Sequence, residues 1–354
     1  MKKKSNVKLL TIILASLMMI LAACGGNKSS EGNKKNKANS DEKLSVGYYV
    51  NATLGDKSFF DSVKRGVDKA GKELGYEVKT IEGGTNQGDW SAGIESMVSS
   101  KKYDVILVGT SQTVEIVSEL AQKYPDQKFI FFDDVVADQP NVYSMTYSQS
   151  EGSFLAGAFA ALATTSPELK GANPEKVIGF VGGMDIPIIN DFKSGYEQGA
   201  KYIDPDVKVV ASFIGNFADA PKAKELTLAQ INSQKADIVY QVAAAAGLGV
   251  LEAANEKGVY SIGVDSNQNS LYPGSVLTSM MKNLDTSTFR ALKLFKEEKL
   301  PFGTHEELGV KEEGVGLAQD NLYTEHVPQA IRDKMTEVQQ KLSNGEISVK
   351  STLK

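Results

Sequence analysis

Val177-Ile178-Gly179-Phe180-Val181-Gly182-Gly183-Met184-Asp185-Ile186-Pro187 is the stretch that decides the fold. The run over 177–181 has no polar residue, so it reads as a strand buried on both faces rather than one with a wet side. Two glycines and an aspartate then turn the chain, and a helical pattern follows over 190–202. The same order recurs on both sides of this stretch. Downstream, strands over 207–214, 238–242 and 261–264 alternate with helices over 221–233 and 247–257. Upstream, strands are expected over 44–50, 76–80, 105–108, 129–132 and 142–146, with helices over 92–99, 113–123 and 152–163. Ser58-Phe59-Phe60-Asp61 reads as a capping box that opens a helix to about Leu74, with Gly75 closing it. Apolar strands alternating with helices of this length mean parallel sheets covered on both faces, the α/β class. Two such series imply two similarly built lobes. A strand over 276–281 and a helix over 285–298 are expected to return the chain to the first lobe, and a helix over 328–342 ends it. The first lobe then comprises residues 44–148 with about 276–317, and the second 149–275 with about 318–354.

The chain has 354 residues, enough for two compact domains, and its 41% hydrophobic and 23% charged residues are an ordinary globular composition. A net charge of −5 argues against nucleic acid as a partner. That sum hides an asymmetry. Residues 1–23 carry four lysines and no acid, and residues 24–43 carry five lysines against three acids, which leaves −11 on residues 44–354. The one cysteine, Cys24, excludes an internal disulfide, and the two histidines, His305 and His326, have no second ligand at a metal-binding spacing. Gly-x-Ser-x-Gly, a Walker loop and His-Glu-x-x-His are all missing, so no enzyme signature is present.

Residues 1–23 read as a signal peptide: Lys2-Lys3-Lys4, then an apolar run over 9–21 that is short for a membrane span. The run ends in Leu21-Ala22-Ala23-Cys24-Gly25, which resembles a bacterial lipobox. Lipid on Cys24 is expected to hold the chain at the extracytoplasmic face of the cell membrane, with residues 24–43 as a flexible tether.

In open parallel sheets, ligands bind beyond the carboxyl ends of the strands. The residues placed there are Asn51, Asp133-Asp134, Gly182-Gly183-Met184-Asp185, Gly215-Asn216-Phe217, the run over 243–249, Asp265-Ser266-Asn267 and Lys282. Carboxylates, amides, a lysine and aromatics facing one cleft suit a neutral, hydroxyl-rich ligand with a flat ring. Each strand-end acid has an equal second reading as a cap or turn former. Asp61 is read as the capping-box acid, and Phe59 has a second reading as core. Asp133 and Asp134 are neighbours on extended chain, so one of them at most faces the cleft. Gly247-Leu248-Gly249 has Glu252 where a dinucleotide fingerprint needs its third glycine.

Several motifs fall together in one order: Asp56-Lys57-Ser58-Phe59-Phe60-Asp61, Phe129-Ile130-Phe131-Phe132-Asp133, Glu151-Gly152-Ser153-Phe154-Leu155-Ala156-Gly157, the stretch from Gly179 to Pro187, Gly263-Val264-Asp265-Ser266, and Leu277-Thr278-Ser279-Met280-Met281-Lys282. With Gln241-Val242-Ala243 and Gly247-Leu248-Gly249 between them, this order resembles the basic membrane protein family of lipoproteins, the purine nucleoside receptor type of ABC-transporter substrate-binding protein. The resemblance spans residues 44–317. It implies a type I periplasmic-binding-protein fold, with two Rossmann-like lobes joined by three crossover strands and ligand in the cleft between them. It also implies a binding protein without enzymatic activity or cofactor, which delivers nucleosides, purine ones foremost, to an ABC permease. By position, Phe59 and Tyr240 match the aromatics that sandwich the base, with Phe217 the alternative to Tyr240. Asp133, with an amide near Asn51, matches the groups on the base edges. Asp265 and Lys282 match the pair that holds ribose hydroxyls, helped by the backbone at Gly247. Phe60 stands where the family has asparagine, which leaves the preferred base open. A sugar-binding protein and a surface sensor or adhesin remain as other readings.

Overall fold

The computed structural model describes residues 43–353; the segments expected to be signal peptide and tether, with Cys24, lie outside the described residues. The chain runs β1 (Ser45–Val50), α1 (Phe59–Leu74), β2 (Glu77–Glu82), α2 (Trp90–Ser99), β3 (Val105–Gly109), α3 (Val114–Lys123), β4 (Lys128–Phe132) and β5 (Val142–Tyr147). It continues with α4 (Gln149–Thr164), β6 (Val177–Gly182), α5 (Pro187–Ile203), β7 (Lys208–Phe213), α6 (Ala220–Gln234), β8 (Ile238–Val242), α7 (Gly247–Lys257), β9 (Tyr260–Asp265) and β10 (Val276–Lys282). Then come α8 (Leu284–Lys296), β11 (His305–Leu308), β12 (Val315–Leu317), α9 (Asn321–His326) and α10 (Gln329–Ser343).

Two six-stranded sheets result. The first has the order β11-β5-β4-β3-β1-β2 with every pair parallel. The second has the order β12-β10-β9-β8-β6-β7, parallel except for β12. The central strands β3, β6 and β8 are buried along their whole length, whereas the outermost strands β2 and β7 are partly exposed. That contrast is what helices on both faces of each sheet require. In both sheets the winding direction reverses between the first and third strands of the series, β1/β3 and β6/β8. A crevice opens at the carboxyl ends of such a reversal. The chain passes between the sheets three times: after β5, between β10 and α8, and between β11 and β12.

The second sheet is built tightly. Helix α4 is buried almost throughout and lies backbone to backbone against α5. A Cβ on Gly199 of α5 would stand 1.9 Å from the Phe154 carbonyl oxygen of α4, so only glycine permits that approach.

Two expectations change, and two short strands are added. The strand over 276–281 was expected in the first lobe, but β10 pairs with β9 in the second sheet. The return to the first sheet comes afterwards, with α8 packed on α1 and β11 beside β5. A strand that is buried almost throughout satisfies either sheet equally, and its short connection from β9 keeps it at β9's side. Strands β11 (four residues, mostly polar) and β12 (three residues) are too short to show a period in the sequence. The capping box is also rearranged. The Ser58 side chain does not cap α1. Asp56 does so instead, accepting from the backbone N–H groups of Ser58 (3.0 Å), Phe60 (2.8 Å) and Asp61 (3.1 Å). Asp61 accepts from Gly55 and Lys57 at 2.8 and 3.0 Å. Gly75 ends α1 in the left-handed conformation, as expected.

Candidate functional site

The carboxyl ends of both sets of strands face a common cavity of about 610 Å³. The first sheet contributes Asn51 after β1, Thr110 to Gln112 after β3, and Asp133 after β4; the loop into α1 adds Asp56, and the first turn of α1 adds Phe59 and Phe60. The second sheet contributes Met184 and Ile186 after β6, Asn216 and Phe217 after β7, Val242 to Ala245 at the end of β8, Asp265 on β9 and Lys282 on β10. Phe192 of α5 and Trp90 of α2 complete the wall. Parallel strands put all these termini on one side, which is why residues far apart in sequence converge.

Four of the strand ends hold a residue other than glycine at positive φ: Thr110 (79°), Asp133 (71°), Ala244 (47°) and Asp265 (63°). All four line the cavity. Aspartate tolerates this region better than most residues, and β-branched Thr110 tolerates it least. Such backbone costs about 1–3 kcal/mol at each position and gathers where a site needs a side chain aimed in one direction.

The charges are concentrated at the floor. Lys282 is almost completely buried and ion-paired to Asp133. The rings of Phe192, Tyr147 and Phe59 surround its Nζ at 5.0, 5.3 and 5.6 Å from their centroids, an arrangement that favours the ammonium electrostatically. Asp265 lies 2.8 Å from Ser58 Oγ, which donates to it. Burial pushes the Asp265 carboxyl up to about 7, against the opposing pull of Lys282 and Ser58. Burial also raises Asp133, again with Lys282 opposing, and raises Asp56 despite its three backbone donors. The cavity lining thus holds four carboxyl groups, Asp56, Asp133, Asp219 and Asp265, against one cation already paired with a carboxylate. Such a lining accepts hydroxyl and amine protons and repels anions.

Of the seven positions expected at a ligand, Asn51, Phe59, Asp133, Asp265 and Lys282 line this cavity, as does Phe217. Tyr240 does not. It is fully buried in mid-strand β8, against the Tyr196 and Phe180 rings at 5.2 and 5.8 Å, with its hydroxyl 3.2 Å from Ser153 Oγ. A side chain in mid-strand points into the helix layer, and only the strand end reaches the crevice. Phe217 has the room that Tyr240 lacks: a Cβ on Gly183 would stand 2.2 Å from its ring, so glycine there lets the ring lie flat. Gly247 also lies away from the lining. A Cβ there would collide with the Gln241 side chain at 1.9 Å, so its smallness serves packing. Asn216, expected at a strand end, also lines the cavity, whereas Trp90, Phe192 and Thr110 join it without a signal specific enough to pick them from the sequence. Trp90 is fixed by its indole N–H, which donates to the Gly84 carbonyl at 2.9 Å.

A family model described as "ABC transporter substrate-binding protein PnrA-like" matches residues 43–352, almost all of the described chain. The chain belongs to this family. Among its relatives, "ABC transporter nucleoside-binding protein BmpA" of Lactococcus lactis subsp. cremoris is 31% identical, with 99% of each chain covered. "Basic membrane protein A" of Borreliella burgdorferi is also 31% identical, over 89% of this chain and 88% of that protein. Among solved structures, an ABC transporter system solute-binding protein from Aeropyrum pernix K1 superposes with a TM-score of 0.78 at 26% identity, covering 87% of this chain and 93% of that one. The α/β architecture of two mainly parallel sheets is that of the periplasmic-binding-protein type, and this member of the family is a substrate-binding protein of the ABC-transporter kind.

Proposed function

We propose that this substrate-binding protein captures nucleosides, purine nucleosides foremost, in the cavity between its two sheets and hands them to an ABC permease, while lipid on Cys24 holds it at the outer face of the cell membrane. The observation that carries the ligand reading is the make-up of the cavity wall. Flat rings (Phe59, Phe192, Phe217, Trp90) line it together with a polar cluster of Asp265, Lys282 and Asp133, and Phe59 and Phe192 lie directly beside the Lys282 ammonium. A base stacks on rings, and a sugar needs acceptors and a donor for its hydroxyls. In this reading Phe59 and Phe217 flank the base, Asn51 and Asp133 meet its edge, and Asp265 and Lys282 hold the ribose. The nucleoside-binding relative from Lactococcus lactis supports the same ligand class.

Calorimetric titration of the purified protein with adenosine, guanosine, cytidine, free adenine, ribose and AMP tests it. The purine nucleosides should bind tightest, and the free base and ribose should each lose at least about tenfold, the worth of one good polar contact or stacked ring. AMP should bind weakest among the purine compounds, because its phosphate enters a lining with a surplus of carboxylates. Ribose binding as tightly as adenosine would replace the nucleoside reading with a sugar reading.

The anchor has its own test. Among the described residues no helix is long and apolar enough to cross a membrane. Cys24→Ser should therefore move the protein from the membrane fraction to the soluble fraction, because the lipid supplies the attachment. Retention of the variant on membranes after a high-salt wash would end the lipoprotein reading.

A further inference from the structure

A short seam joins the start of α1 directly to the end of β9, next to the cavity and beside the crossing from β10 to α8, where Arg65 Nε lies 3.6 Å from Asp285 Oδ2. A serine at the start of a helix ordinarily turns its hydroxyl to that helix's own N–H groups. Here Asp56 satisfies those groups, and the Ser58 hydroxyl is released to cross the molecule. It lies 2.8 Å from Asp265 Oδ2 and 3.0 Å from the Val264 carbonyl. The reply comes from the other side: Ser266 Oγ donates to the Ser58 carbonyl at 2.8 Å, and Gln268 Nε2 donates to the Lys57 carbonyl at 3.2 Å. Arg65, about two turns further along the exposed side of α1, donates to Ser266 Oγ at 2.9 Å. Ser58 and Ser266 are buried. Of the groups that bond across the seam, only Asp265 also lines the cavity.

We propose that this seam is a closure latch. Ser58, Ser266 and Arg65 hold the two sheets in the ligand-enclosing arrangement and present Asp265 to the ligand, so they set how slowly a captured nucleoside escapes. They are positioning residues, which act through Asp265 and the cleft and touch no ligand themselves. Two physical points support the assignment. The bonds run between segments belonging to different sheets, so separating the carboxyl ends of β1 and β9 breaks them together. A contact present only in the closed arrangement slows opening without changing how ligand enters the open one. Asp265 serves both the latch and the cavity. An occupied cavity, which fixes that carboxylate, therefore also strengthens the seam.

The latch rests on the nucleoside reading for its kinetic test, so that test carries a ligand-free arm. Stopped-flow binding of adenosine, guanosine and inosine to the full protein is compared for wild type, Ser266→Ala, Ser266→Thr and Arg65→Ala. Ser266→Ala should release nucleoside about tenfold faster with association changed by less than about twofold, the pattern of a lost closed-state contact. Arg65→Ala should follow in the same direction with a smaller effect, and Ser266→Thr, which keeps the hydroxyl, should stay close to wild type. A lower melting temperature in Ser266→Ala with an unchanged release rate would reduce the seam to ordinary packing and overturn the proposal. An equal rise in Ser266→Thr would overturn it as well. If wild type binds none of the three nucleosides, the functional reading has failed by itself. Small-angle scattering of the ligand-free proteins then decides the latch: a larger radius of gyration in Ser266→Ala sustains it, and identical profiles dismiss it.

Discussion

Lys282→Met is expected to cost the protein about 3–5 kcal/mol of stability at neutral pH, the usual consequence of removing one partner from a buried ion pair. The lysine is almost without exposure and answers both Asp133 and Asp265. Methionine fills its volume but leaves two carboxylates in a ring-lined space with no counter-charge. Their pKa values, already raised by burial, rise further. A carboxyl whose folded-state pKa is raised stabilises the fold while protonated and loses that contribution as pH climbs through the folded value. The deficit of the variant should therefore be small at pH 5 and grow toward pH 8. Asp133→Asn in the same chain should recover part of it, because the stranded charge is gone. Urea unfolding at several pH values reads all of this, and a deficit constant from pH 5 to pH 8 would show that the lysine contributes packing rather than charge. Nucleoside affinity should fall by at least about a hundredfold in the single variant, since a charge-assisted donor is lost and its neighbours are disordered.

The second large effect belongs to Asp265. Asp265→Ala should weaken nucleoside binding by about one to two orders of magnitude, at roughly 1.5–3 kcal/mol for hydrogen bonds to a charged group. The loss should fall on the sugar: the ratio of nucleoside to free-base affinity should collapse, while free adenine binds about as before. An unchanged ratio in calorimetry would remove Asp265 from the ligand and leave it as a turn former at positive φ. Its titration gives an independent check. With the carboxyl pushed up to about 7, a large share of the ligand-free protein holds it protonated at neutral pH. The ionised form accepts two hydroxyls and the protonated form accepts them poorly, so nucleoside affinity of wild type should rise between pH 6 and 8. The ligand-free fold should run the other way, losing Asp265's contribution as pH rises from about 4, the unfolded value, through about 7. Asp265→Asn should flatten both slopes.

Much of the site was legible because parallel sheets make one promise: whatever follows a strand lies at the carboxyl edge. Asn51, Asp133, Asp265 and Lys282 were found that way, and each lines the cavity. Tyr240 was drawn from a family pattern instead, and its mid-strand position sends it into the helix layer beside Phe180. Gly247 looked like a ligand-facing backbone and proved to be space for Gln241. Phe192 lies on α5, whose face toward the cavity depends on how that helix beds on α4, a contact between segments forty residues apart.

The sequence by itself determined the alternation of apolar strands with helices, hence the α/β class, the two series and the strand-end acids. These follow from local periodicity and from which residues can leave water. Tertiary structure alone decided that β10 stays beside β9, that Asp56 caps α1 so that Ser58 can cross to Asp265, and that Lys282 pairs with Asp133. Each of these is a choice between partners of equal local merit. A buried strand fits either sheet edge, a serine hydroxyl fits its own helix or a distant carboxylate, and a lysine fits either of two acids. Only the three-dimensional arrangement, which fixes distance and burial for all candidates at once, makes one partner cheaper than the rest.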